Sequence, residues 1–114
     1  MESHDTISEL FQLVSFQLGS VKTEDIAKTL EILENIIHTY EPPGTYDEGK
    51  YYHYCSALAL RTGDAASSEK FLLEAERIVS CAVGPTHPET LLLRRELMHF
   101  YQSQGKFQMA LEWQ

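Results

Sequence analysis

The stretch Gly84-Pro85-Thr86-His87-Pro88-Glu89, with the apolar run that follows it to Phe100-Tyr101-Gln102-Ser103-Gln104-Gly105-Lys106-Phe107, decides how this chain folds. Two kinds of punctuation bracket one helix-length segment. Pro88 suits a first-turn position, where the missing N–H has no intrahelical partner to lose, and Gly105 suits the left-handed residue that closes a helix. Between them Leu93, Leu97, Phe100 and Tyr101 recur every three or four residues, the spacing of one helical face.

Outward from this segment the punctuation repeats. Lone glycines (Gly19, Gly63, Gly105) alternate with proline-containing breaks, Pro42-Pro43-Gly44 and Gly84 to Pro88. Ile26, Leu30, Leu33, Ile36 and Ile37 form one apolar face, and Phe71, Leu72, Ala75, Ile78 and Val79 form another. Strand-type alternation is sustained nowhere, so the spacing predicts six helices at about 5–18, 23–40, 47–62, 65–82, 88–103 and 107–114. Thr23 before Glu24-Asp25, and Asp64 after Gly63, are cap and dipole signals for two of the starts.

Gly63 and Gly105 lie 42 residues apart in similar contexts, and Gly19 lies 44 residues before Gly63. Three hairpins of common period, 5–40, 47–82 and 88–114, are the signature of a solenoid filling one domain, 1–114. One hairpin cannot hide its own apolar stripe, so neighbours must stack. A HEAT-like array, with units of about 40–47 residues, fits the same period.

Composition narrows the function classes. The 114 residues carry a formal charge of −8, and all of the excess lies before Lys50: ten acids against Lys22 and Lys28, followed by seven acids against seven bases. A polyanion demands a basic footprint, so general nucleic-acid binding is not expected. No run approaches the roughly 18 apolar residues of a membrane span, and MESHDTISEL lacks the marks of a signal peptide. The expectation is an intracellular, cytoplasmic protein with Cys55 and Cys81 reduced.

The residues resemble a known family. Tyr101-x-x-x-Gly105-x-Phe107-x-x-Ala110 is similar to the middle of a tetratricopeptide repeat (TPR), and Ala75-Glu76-Arg77-Ile78 followed by Gly84-Pro85-Thr86-His87-Pro88-Glu89 resembles the linker of the kinesin light chain subtype, whose unit has 42 residues. The resemblance implies an all-α, right-handed stack of about three antiparallel hairpins, a TPR-like α-solenoid. It is strongest from Lys50 onward. Three residues depart from the pattern: Arg94 stands where the family often has a large apolar side chain, Ala59 replaces the aromatic equivalent to Tyr101, and Ser68 replaces the alanine equivalent to Ala110.

Enzyme signatures are sparse. The chain has no phosphate-binding glycine loop, no G-x-S-x-G elbow and no H-E-x-x-H pair. His53 and Cys55, two apart, would face different directions on a helix, so no metal or cofactor is expected. Cys55 reads as a small core residue, and Tyr46, Tyr51, Tyr52 and Tyr54 read as packing residues.

A binding surface is the better expectation. In the resembling repeats the first helix of each hairpin lines a concave groove, which transfers to Lys50, His53, Ala57, Leu60 and Arg61 and to Leu92, Arg95, His99 and Gln102, with Glu9, Leu13 and Phe16 more weakly aligned. This face is locally basic, which suits an acidic peptide of a partner protein, with Arg61 and Arg95 as bidentate partners and Leu60 and Leu92 as apolar contacts. Phe107, Ala110, Leu111 and Trp113 begin an apolar face with no polar capping helix after it, so a further repeat or a second copy of the chain is expected to cover it. The reading is therefore a noncatalytic adaptor. The alternative is an accessory domain of a larger enzyme, since the helical C-terminal regions of SET–MYND lysine methyltransferases look similar and have comparable Gly…His-Pro linkers.

Overall fold

The computed structural model describes residues 3–20 and 22–113. Six helices form there and no strand: α1 (Ser3–Ser20), α2 (Thr23–Tyr40), α3 (Tyr46–Arg61), α4 (Ala65–Val83), α5 (Pro88–Ser103) and α6 (Phe107–Leu111). The helices expected from the spacing are all present. The sixth is shorter than expected: the amides of Glu112 and Trp113 bond three residues back, to Met109 and Ala110, so the chain tightens into a turn. Gln114, assigned to that helix from the sequence, lies outside the described residues.

The starts of α3, α4 and α5 are fixed by side-chain caps, whereas α2 follows Lys22 with no side-chain cap hydrogen bond, so Thr23 is its first helical residue and not the expected cap. Thr45 Oγ1 accepts from the Glu48 amide at 3.3 Å while Glu48 Oε1 accepts from the Gly44 amide at 2.7 Å, a near-capping box that opens α3. The Asp64 carboxylate accepts from the Ser67 amide at 3.0 Å. His87 Nδ1 accepts from the Glu89 amide at 3.0 Å, and Pro88 follows as the first helical residue of α5.

The repeat is visible in the hydrogen bonds. Gly63 and Gly105 both have positive φ, +84° and +74°, a conformation that costs glycine nothing. Each lets the next residue's amide reach back into the helix: Asp64 donates to the Ala59 carbonyl and Lys106 to the Tyr101 carbonyl, both at 2.8 Å. The residues that precede α2, α4 and α6 fall at 22, 64 and 106, and those that precede α3 and α5 at 45 and 87, in steps of 42 throughout. Buried positions keep the same step, pairing Leu30 with Leu72, Leu33 with Ala75, Ile37 with Val79 and Cys55 with Leu97.

Each helix packs on its neighbours in the chain, and α1 also reaches α3. The apolar interior falls into two clusters. One joins Ile7, Phe11 and Val14 of α1 to Ile26, Leu30, Leu33 and Ile37 of α2 and to Cys55. The other joins Leu72, Ala75 and Val79 of α4 to Leu93, Leu97, Phe100 and Tyr101 of α5 and to Ala110. Between the clusters α3 meets α4 at Gly49, where an added Cβ would lie 2.4 Å from Val79 Cγ2. Ser68 Oγ, in place of an alanine, donates to the Ser56 carbonyl at 3.0 Å across the same contact.

Arg94, the charged residue at a usually apolar position, also finds a partner. Its Nε donates to Glu76 Oε2 at 2.9 Å, and Glu76 is buried on α4. The departure at position 94 is thus met by a carboxylate on the neighbouring helix.

Candidate binding surfaces

Of the depressions that α3 borders, two adjoin on one side and a third lies on the other. On the first side, Ala57 and Leu60 are shared by a hollow toward α1, completed by Leu18 and Arg61, and a hollow toward α4 and α5, completed by residues that include Ser68, Leu72, Glu96 and His99. The shared residues make one trough across α3. Leu60 is 55% exposed at its centre, where a solvent-facing leucine gains nothing for the monomer.

Of the residues selected from the sequence, Ala57, Leu60, Arg61 and His99 line this trough; Lys50, His53, Leu92, Arg95 and Gln102 do not, nor do Glu9, Leu13 and Phe16. Leu92 is half-buried, while Arg95 and Gln102 are exposed on α5. Lys50 is drawn to the rings of α1 and α3, its Nζ 4.8 Å from the Phe11 centroid and 5.7 Å from that of Tyr46. Arg61 donates to the carbonyl of Leu18 near the end of α1, a favourable place for a cation because the helix dipole is negative there.

His53 is held by its own chain. Nε2 lies 2.8 Å from Glu96 Oε1 and Nδ1 lies 3.4 Å from Glu89 Oε2. Burial works against the imidazolium, yet the hydrogen bonds and charges of the two carboxylates outweigh it and hold the pKa at about 9. The His53 hydrogen bond in turn keeps Glu89 below the usual carboxylate range. The face expected to be basic is therefore mixed in charge, and Glu96, which the repeat alignment did not select, belongs to the trough.

The expected packing of the tyrosines is what the rings do. Tyr54 stacks on Phe11 at 5.4 Å between centroids and its hydroxyl meets Ser15 Oγ at 2.6 Å, while Tyr52 stacks on Phe71 at 6.0 Å. At the C-terminal end Phe107 and Leu111 are 65% and 58% exposed. Trp113, grouped with them from the sequence, instead packs partly buried against the second core cluster.

The third depression is a cleft of about 450 Å³ between α2 and α4, floored by Leu30, Cys55, Leu58 and Ala59 and flanked by Glu31 and Glu34. Sequence reasoning passed over it; its only signal was alanine at position 59 where an aromatic was expected. Burial pushes the Cys55 thiol up to about 11, so at neutral pH it is a poor nucleophile. Among the described residues no three His, Cys, Asp or Glu side chains gather to hold a metal ion, and no helix is long and apolar enough to cross a membrane.

Compared with protein-family models, curated proteins and solved structures, the chain matches none of them.

Proposed function

We propose that the chain is a noncatalytic interaction module: a TPR-like, right-handed stack of three hairpins that holds a peptide or helix of a partner protein in the trough crossing α3. The observation that carries this reading is Leu60, exposed and apolar, shared with Ala57 by two adjoining hollows. A trough that crosses helices suits an extended or helical ligand, with apolar anchors at its centre and charged contacts at its rim. Arg61 and His99 near the trough, with Arg95 exposed on the same helix as His99, favour a partner segment carrying carboxylates.

Selection of a random peptide library on the immobilised full chain tests the proposal. Enriched peptides are expected to be acidic with an apolar anchor, and to lose at least about tenfold in affinity toward Leu60→Asp. Enriched peptides that bind Leu60→Asp as well as wild type, or a library with no binders, would contradict it.

A further inference from the structure

The two halves of the chain set equivalent backbone around different side chains. In the second half, α5 supplies Tyr101, which is 1% exposed and whose hydroxyl donates to Glu69 Oε2 at 2.6 Å. The same helix supplies Arg94, paired with Glu76 of α4. Forty-two residues earlier, Ala59 stands for Tyr101, Ala27 for Glu69, Tyr52 for Arg94 and Glu34 for Glu76. The carboxylate of the ion pair is kept; its guanidinium and the aromatic wedge are absent.

The cleft lies where the wedge is missing. Ala27, Ala59, Leu30 and Cys55 line its wall, and in the second half the equivalents of the last two, Leu72 and Leu97, share the core cluster of Tyr101. Glu34 and Glu31 also line it, and among the described residues no lysine, arginine or histidine forms an ion pair with either. An open cleft with an apolar floor beside carboxylates that lack a counter-ion is complementary to an aromatic side chain next to a cation.

We propose that this cleft is a docking site for a partner peptide that supplies what the second half of the chain supplies for itself: an aromatic side chain seated over Ala59, and an adjacent arginine or lysine on Glu34 and Glu31. The site is separate from the trough. At 100° per residue, Cys55, Leu58 and Ala59 occupy the side of α3 away from Ala57, Leu60 and Arg61. One chain could therefore hold an acidic segment on one side and a cationic, aromatic segment on the other.

The probe is an acetylated nonapeptide with an arginine-tyrosine-arginine centre and glycine-serine flanks, titrated into the ¹⁵N-labelled full chain. Saturable amide shifts are expected at Ala27, Leu30, Leu58 and Ala59. Replacing the probe's tyrosine by alanine should weaken binding by roughly tenfold or more, and Glu34→Gln should weaken it about tenfold. Ala59→Tyr with Ala27→Glu, which rebuilds the Tyr101–Glu69 arrangement inside the cleft, should abolish binding. Circular dichroism and retained binding of trough-selected peptides establish that this variant is folded. Failure of the probe to saturate, or binding that survives either loss of its tyrosine or the filled cleft, would overturn the proposal; the latter two results would mean attraction to the acidic surface by charge alone.

Discussion

Between α3 and α5, His53 Nε2 sits 2.8 Å from Glu96 Oε1 while its Nδ1 sits 3.4 Å from Glu89 Oε2, so one imidazolium bridges two carboxylates. Its folded pKa of about 9 stands above the ordinary 6.5. A raised pKa contributes stability that is complete below about pH 6.5 and is lost as pH rises through about 9. For this largely buried side chain the contribution is on the order of 2–3 kcal/mol. Urea unfolding at pH 6 and pH 9.5 should therefore show wild type losing clearly more stability at the higher pH than His53→Gln, whose smaller loss comes from the buried Cys55 thiol. A wild type equally stable at both values would remove the clamp.

Gly49 opposes two effects. In an exposed helix interior, alanine would be favoured over glycine by about 1 kcal/mol. Here the new Cβ would lie 2.4 Å from Cγ2 of Val79, a stiff, fully buried side chain. Overpacking of that kind typically costs about 1–3 kcal/mol, so Gly49→Ala should lower the denaturation midpoint. An unchanged or raised midpoint would mean that α3 and α4 separate without cost.

Arg94 and Glu76 should behave as a pair. Arg94→Leu leaves the Glu76 carboxylate, 10% exposed, without its guanidinium and should cost about 2 kcal/mol. Adding Glu76→Leu should restore most of the loss, since an apolar pair of similar volume dispenses with the desolvated charges. Equal losses in the single and double variants, measured by chemical denaturation, would show that the ion pair is not what holds α4 to α5.

Phe107 and Leu111 expose apolar surface at the end of the chain. Association through this face should appear as concentration-dependent sedimentation that Phe107→Glu with Leu111→Glu abolishes. Monomeric behaviour at every concentration would count against it.

The helices were legible because glycine and proline act locally: Gly63, Gly105 and Pro88 mark ends and starts whatever surrounds them. Side-chain partnership across helices was less legible. Arg94 read as a departure until α4 placed Glu76 beside it, and His53 read as a groove residue until α5 brought two carboxylates to its ring. The cleft was hardest to see, since Ala27 and Ala59 are ordinary helix residues whose meaning lies in the volume they leave unfilled. Leu60, Arg61 and His99 line one trough because the 42-residue step sets which face of α3 and α5 they share.

Chemical-shift mapping of a library-selected peptide on the ¹⁵N-labelled full chain tests the central claim most directly, because it reports where the ligand lands. The account predicts saturable shifts centred on Ala57, Leu60 and His99 that disappear in Leu60→Asp. Shifts confined to other residues, or unchanged by Leu60→Asp, would contradict it.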